Sequence, residues 1–360
     1  MVSVLIVDDS SLIRRVLSRE LSSDPDIQVL GAAPDPYVAR EMIVAQKPNV
    51  LTLDLEMPRM DGLTFLDKLM RFYPMPVVIV SSLTPKGSEL AIRALSMGAV
   101  AVIPKPSSHQ ATQGMIAELK AAIKMAAGTQ FAVGAQLIAS NQSPAATPVE
   151  KPARPSRPQP QGRVSGNAPQ ILAIGASTGG TVVLEYLLRA FPGNMPATLI
   201  VQHMPAGFTR SFAQRLNNIS ALEVREAKDG DLVVPGTALV APGDFHMYLK
   251  KSGGRYSVGL SSEDKRNGHR PSVEVLFSSV AKAAGSGALG VILTGMGNDG
   301  GAGLLEMRRA GARTLAQDEA SCVVFGMPQV AIKMDAVDEI MGPERMSRRI
   351  PELLACSAVA

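Results

Sequence analysis

The sequence predicts two doubly wound α/β domains joined by a proline-rich linker, and three observations carry that expectation. Short, nearly continuous apolar runs alternate with amphipathic stretches in both halves of the chain, the pattern of parallel strands covered on both faces by helices. At 360 residues the chain is long enough for two separate cores. Between the halves, "SPAATPVEKPARPSRPQPQGRVSGNAP" has no apolar periodicity and cannot bury enough surface to offset its ordering entropy. Its closely spaced prolines favour polyproline II, a semi-stiff tether. The expected division is residues 1–127, a linker over 128–168, and residues 169–356.

In the first half the strand candidates are, in order, "VSVLIVDD", "IQVLGAA", "NVLTLDL", "PVVIVSS" and "AVAVIP". Amphipathic stretches such as "SLIRRVLSREL" and "LTFLDKLMRFY" fall between them, so a five-stranded parallel sheet is expected. The second half resumes with "QILAIGAS", "ATLIVQHM", "ALGVILTG" and "ARTLAQD", each followed by a helical stretch. Residues 222–260 are β-rich with Gly and Pro turns ("LVVPGTALVAPGD"), which predicts a small antiparallel insertion. The two halves show no mutual repeat.

Composition narrows the function classes. No apolar run approaches the about 20 residues of a membrane span, and "MVSVLIVDDSS" lacks a basic region followed by a long apolar stretch. A cytoplasmic chain without membrane insertion is expected. Cys322 and Cys356 form neither a disulfide framework nor a metal spacing. The net charge of +4 sits mostly in the linker, where Lys151, Arg154, Arg157 and Arg163 face only Glu150. The remainder is near neutral, which argues against nucleic acid as a partner.

Ligands of open α/β sheets sit at the carboxyl ends of the strands. In the first half those ends carry Asp8 and Asp9, Asp54, Ser82 and Lys105. Three convergent carboxylates repel unless a hard cation sits among them, and oxygen donors of this kind suit Mg²⁺. A lysine and a hydroxyl at the same edge could hold phosphoryl oxygens, and a carboxylate there can accept the phosphoryl group. With "LIVDDS", "LTLDLEMPRMDGL", "VIVSS" and "IPKP", this half resembles the receiver domain of two-component response regulators. The resemblance implies a flavodoxin-like fold and phosphorylation of Asp54 by a histidine kinase. It further implies Mg²⁺ on Asp8, Asp9, Asp54 and the Glu56 backbone carbonyl, with Ser82 and Lys105 sensing the phosphorylated state.

In the second half Ser177 directly follows an apolar strand and precedes a Gly-Gly helix start. Such a turn exposes a hydroxyl beside helix N–H groups. His203 closes the next strand and could serve as base, whereas strand ends do not place His246 or His269, and His109 lies by the last helix of the first half. Asp299 follows a third strand and could orient the histidine, completing a serine–histidine–aspartate set defined by geometry rather than chain order. A competing reading is a dinucleotide loop. Gly295, Gly297 and Gly300 have the G-x-G-x-x-G spacing, and Asp318 stands about 20 residues further on. Asp299 argues against it, because a carboxylate facing pyrophosphate in a partly dry site is repelled or forced to protonate.

The segments "GASTGG", "QHMP", "VAPGD", "HRPSVEVLF" and "TGMGNDGGAGL" resemble the catalytic domain of the chemotaxis protein-glutamate methylesterase (CheB) family. The resemblance implies a monomer that demethylates glutamate γ-methyl esters, and deamidates glutamine, on methyl-accepting chemotaxis receptors. It makes Ser177 nucleophile, His203 base, Asp299 orienting acid and the Met296 backbone N–H the oxyanion donor, with no cofactor in the esterase site. A DNA-binding output would need a helix-turn-helix and a basic face, and the second half shows neither.

Overall fold

The computed structural model describes residues 1–105, 109–129 and 171–355. From residue 130 the expected linker, and the expected domain ends at 169–170 and 356, lie outside them. The chain divides into two compact units.

The first unit is a five-stranded, all-parallel sheet in the order β2-β1-β3-β4-β5. Its strands are β1 (Val2–Val7), β2 (Ile27–Ala33), β3 (Val50–Leu53), β4 (Val77–Ser81) and β5 (Ala101–Pro104). They alternate with α1 (Ser11–Ser22), α2 (Pro36–Gln46), α3 (Gly62–Phe72), α4 (Pro85–Ser96) and α5 (His109–Ala127). Side-chain caps start the first four helices: Ser10, Asp35, Asp61 and Thr84 each accept a first-turn N–H, satisfying donors the helix cannot. Val4, Ile6, Val50, Val78 and Val80 pack against Leu17 and Leu21 of α1 and Ile116, Leu119 and Ile123 of α5. Strand order reverses between β1 and β3, which opens a crevice where Asp8 and Asp54 emerge.

The second unit holds a seven-stranded parallel sheet in the order β14-β13-β12-β6-β7-β9-β8. In chain order its elements are β6 (Ile171–Ala176), α6 (Gly180–Ala190), β7 (Ala197–Gln202), α7 (Phe208–Ile219), β8 (Glu223–Glu226) and β9 (Thr237–Val240). A β10 (His246–Ser252) and β11 (Arg255–Ser261) hairpin follows, then α8 (Val273–Ala284), β12 (Ala288–Ile292), α9 (Gly301–Arg309) and β13 (Arg313–Gln317). The unit closes with α10 (Met327–Lys333), β14 (Glu339–Met341) and α11 (Pro343–Ala355).

The antiparallel insertion is therefore smaller than residues 222–260 suggested. Only β10 and β11 pair antiparallel; β8 and β9 join the main sheet in parallel, Glu223 opposite Thr237. Parallel neighbours normally need a crossover of a dozen or more residues, usually helical. Here residues 227–236 make the return without a helix, so the stretch reads as a hairpin in sequence.

Both neighbours of β6 matter to the site. Ala176 pairs with Gln202 of β7, and Gly175 with Ile292 of β12. The ladder runs one step past the strands: His203 N–H donates to the Ala176 carbonyl and Ser177 N–H to the Thr294 carbonyl, each at 3.0 Å. The residues after β6, β7 and β12 thus form one row at the carboxyl edge.

Candidate active site and acidic pocket

In the first unit Asp8, Asp9 and Asp54 each offer a carboxylate oxygen within 4.8 Å of the others. Asp8 and Asp54 are buried and Asp9 exposed. The Ser10 N–H fixes Asp8 Oδ1 at 2.8 Å. Lys105 Nζ bridges the pocket, 3.0 Å from Asp8 Oδ2 and 2.7 Å from Asp54 Oδ2. Burial lifts the Asp54 carboxyl above the usual carboxylate range, although Lys105 pulls the other way. Burial disfavours the Lys105 ammonium as well, but its bonds to Asp54 and Asp8 outweigh that and hold its pKa above the ordinary lysine value. Ser82 stands slightly apart, donating to Glu56 Oε2 at 2.6 Å, while the Glu56 N–H reaches Asp54 Oδ1 at 3.3 Å.

In the second unit three helices begin beside the residues of interest. Ser177 is half-buried in the turn between β6 and α6, and Gln202 Nε2 ties the turn by donating to the Ser177 carbonyl at 2.8 Å and the His203 carbonyl at 3.2 Å. Asp299 lies in the turn before α9, whose capping residue Gly300 has φ 90°, a left-handed conformation that favours glycine. Its carboxylate is 1% exposed and bonded on both oxygens. Oδ2 accepts from His203 Nε2 at 2.8 Å and the Val273 N–H at 2.7 Å. Oδ1 accepts from Ser272 Oγ at 2.7 Å, Asn267 Nδ2 at 2.9 Å and the Glu274 N–H at 3.3 Å. The aspartate therefore sits on the N-terminus of α8, where N–H groups and helix dipole favour negative charge. Burial alone would raise its pKa; the bonds from His203, Asn267 and Ser272 outweigh it and bring the value to about 2.

His203 uses Nε2 toward the aspartate, so Nδ1 is the nitrogen left for proton transfer. That nitrogen is buried and without a partner among the described residues. No hydrogen bond joins it to the Ser177 hydroxyl in this state, and such contacts often tighten only when substrate binds. Thr294 anchors the loop that follows β12: its hydroxyl donates to the Thr178 carbonyl at 3.0 Å, and its N–H to Gln317 Oε1 at 2.9 Å. Beyond it, a Cβ on Gly295 would lie 2.7 Å from Ser177 Cβ and 2.4 Å from Met327 Sδ, so only glycine lets this loop approach the serine. The next N–H, that of Met296, bonds no acceptor among the described residues.

The dinucleotide reading fails on geometry. The N–H of Gly300, at the start of α9, is taken by Glu274 Oε2 at 3.2 Å, so a carboxylate already occupies the place of a phosphate. Asp318 is no ribose ligand but the cap of a short 3₁₀ turn, accepting the Ser321 N–H at 3.0 Å. His246 is buried in β10, its Nε2 beside the Asp264 carbonyl at 3.0 Å. The Cys322 thiol, pushed up to about 12 chiefly by burial, is not a nucleophile near neutral pH.

Sequence reasoning left His269 unplaced and did not single out Asn267, Ser272 or Glu274. His269 stacks face to face on His203, with ring centroids 3.7 Å apart and planes 9° from parallel.

An acidic receiver-type pocket on one unit and a row of serine, histidine and aspartate at the sheet edge of the other are the arrangement of a receiver-linked hydrolase. Comparison with known proteins narrows the class. Residues 4–117 match the family model for the response regulator receiver domain, and residues 172–350 that for CheB methylesterase. A protein-glutamate methylesterase/protein-glutamine glutaminase of Anaeromyxobacter dehalogenans is 50% identical over 100% of this chain and 96% of its own length. One of Photorhabdus laumondii is 52% identical over 97% and 96%. The crystal structure of the CheB methylesterase catalytic domain of Thermotoga maritima aligns with TM-score 0.50 and 40% identity, covering 51% of this chain and 98% of that one. The chain belongs to the CheB family of receiver-linked methylesterases.

Proposed function

We propose that this chain is a phosphorylation-activated serine hydrolase that removes methyl groups from glutamate γ-methyl esters on methyl-accepting chemotaxis receptors. The observation that carries the reading is the 2.8 Å His203–Asp299 bond at the strand end beside Ser177, with His203 Nδ1 left over. Ser177 Oγ attacks the ester carbonyl while His203 Nδ1 takes its proton. Asp299 keeps the other ring nitrogen protonated and stabilises the imidazolium. The Met296 N–H meets the developing oxyanion; a donor in such a position contributes about 3 kcal/mol. The proton passes from His203 to the leaving methoxide and methanol departs. Water, deprotonated by His203, then cleaves the acyl–serine bond and releases glutamate. With a glutamine side chain the same steps release ammonia instead, which is the glutaminase activity.

The first unit supplies control. Asp54 is the phosphoryl acceptor, its donor a chemotaxis histidine kinase. The Asp8, Asp9 and Asp54 oxygens, all within 4.8 Å of one another, fit a hard divalent cation, and together with the Glu56 carbonyl they would hold Mg²⁺. When bound, that ion supplies positive charge against the phosphoryl oxygens. Lys105, already paired with Asp54, would follow the new phosphate. Ser82 would exchange Glu56 for a phosphoryl oxygen. The esterase site needs no cofactor in this mechanism. Among the described residues no helix is long and apolar enough to cross a membrane, and we assign the reaction to the cytoplasm, on receptor segments exposed there.

Asp54→Asn is expected to abolish stimulation by a small acyl phosphate while leaving the unstimulated rate within about twofold, since a phosphorylation switch acts only through the state it populates. Methanol release with and without the donor checks it. Stimulation that persists in the variant would remove Asp54 from the switch.

A further inference from the structure

The loop between β11 and α8 returns over the catalytic edge through a two-residue turn. Arg266 and His269 form an isolated antiparallel bridge, each N–H donating to the other's carbonyl at 3.0 Å. Between them Asn267 has φ 52° and Gly268 φ 82°, two successive left-handed residues, as the Asn-Gly type I′ turn requires. One short turn thereby reaches both partners of the histidine–aspartate pair. Asn267 Nδ2 donates to Asp299 Oδ1 at 2.9 Å, and the His269 ring covers the face of His203 at 3.7 Å.

A single hydrogen bond fixes one atom of a ring, not its plane. With only Asp299 on Nε2, the imidazole of His203 could rotate about that bond and carry Nδ1 away from the serine. A parallel stack restricts this freedom, because at 3.7 Å a tilt of the His203 ring drives its edge into the His269 face. The character of the covering ring also matters. Burial, and next the neighbouring His203, lower His269 to about 4, against the pull of Asp299 and with the help of Lys265. Near neutral pH it therefore offers His203 an uncharged π face. An imidazolium formed on His203 during the reaction meets no competing positive charge there.

We propose that the 266–269 turn is a positioning clamp for the hydrolytic pair: His269 sets the plane of the His203 ring, and Asn267 holds the Asp299 carboxylate from the side opposite His203. Neither residue touches the reacting atoms. The inference rests on the Ser177–His203–Asp299 reading above.

The test uses the full chain stimulated with an acyl phosphate. It compares wild type, Ser177→Ala, His269→Ala, His269→Phe and Asn267→Gly, the last keeping the left-handed backbone while deleting the amide. Each is assayed for kcat and KM of ester hydrolysis and for the rate of serine labelling by a fluorophosphonate. His269→Ala is expected to lower kcat and labelling about tenfold with KM unchanged, the scale of one aromatic pair. His269→Phe restores a flat face and should recover to within about threefold of wild type. Asn267→Gly should lose kcat by roughly fivefold, part of the worth of one hydrogen bond to a charged acceptor, because four other donors still hold Asp299. The His203 ring protons, shifted upfield by the stack in NMR spectra, should move downfield in His269→Ala and return in His269→Phe. Wild-type kcat in His269→Ala, or His269→Phe as impaired as His269→Ala, overturns the clamp. If His269→Ala does not fold, a wild-type Asn267→Gly together with a tenfold-impaired His269→Phe overturns it equally. Turnover and labelling surviving in Ser177→Ala would instead overturn the underlying triad, which separates the two failures.

Discussion

Ser177→Ala is expected to lower kcat for ester hydrolysis by at least on the order of 10⁴-fold, with KM changed little. Removing the proposed nucleophile would end covalent catalysis and leave only binding and oxyanion stabilisation to act on water. Stability should hardly move, because Ser177 is half-buried and its hydroxyl bonds no partner among the described residues. Nothing nearby can substitute well. Cys322 is 1% exposed, with its thiol pushed up to about 12, and is not ionised at working pH. Burst kinetics check the prediction directly: wild type should release methanol in a pre-steady-state burst if deacylation limits turnover, and the variant should show neither burst nor steady release. A variant within tenfold of wild type would require a different nucleophile.

Asp299→Asn is expected to cost about 10⁴-fold in kcat at pH 7, for a different reason. The carboxylate accepts five bonds, including two from the N–H groups that open α8. An amide has one oxygen to give. If it serves the helix N–H groups, its NH₂ faces His203 Nε2, which must then accept, and the ring proton moves to Nδ1, where it blocks proton removal from Ser177. The same site sets a pH signature in stability. The folded pKa of Asp299, about 2, lies below the unfolded value of about 3.9. Its contribution is therefore fully present above about pH 4 and lost as pH falls toward 2, amounting to about 2 kcal/mol in all. The asparagine variant lacks that increment, so its stability deficit against wild type should narrow across the same window. Urea melts between pH 5 and pH 2 measure it; a constant deficit would mean that the carboxylate is not held ionised by the bonds described.

The strands were legible because parallel strands buried on both faces are nearly continuous apolar runs, and β6, buried at every residue, falls within "QILAIGAS". The site was legible as far as strand ends carry an address. Asp8, Asp54 and Lys105, and in the other unit Ser177 and His203, follow their strands directly, while Asp299 lies further on, in the loop between β12 and α9. His269 and Asn267 arrive from the loop 262–272, which leaves a hairpin lying outside the main sheet. The Asn-Gly pair announces a turn but not what the turn will rest on. Ser272 and Glu274 needed knowledge of which helix N-terminus receives which carboxylate. The structure shows an exchange, with Asp299 on α8 and Glu274 of α8 on the start of α9. That exchange explains why a G-x-G-x-x-G spacing occurs without a nucleotide. Gly295 is small to admit Ser177, and Gly300 is left-handed to start α9.

The account turns on one claim, that Ser177 hydrolyses receptor glutamyl methyl esters under the control of Asp54. Methanol released from methyl-esterified receptors in isolated membranes, by wild-type chain and by Ser177→Ala, each with and without a small acyl phosphate, tests it most directly. The account predicts release by wild type that accelerates with the phosphodonor and none above background from the variant. Equal wild-type rates with and without the donor, or undiminished release by Ser177→Ala, would contradict it.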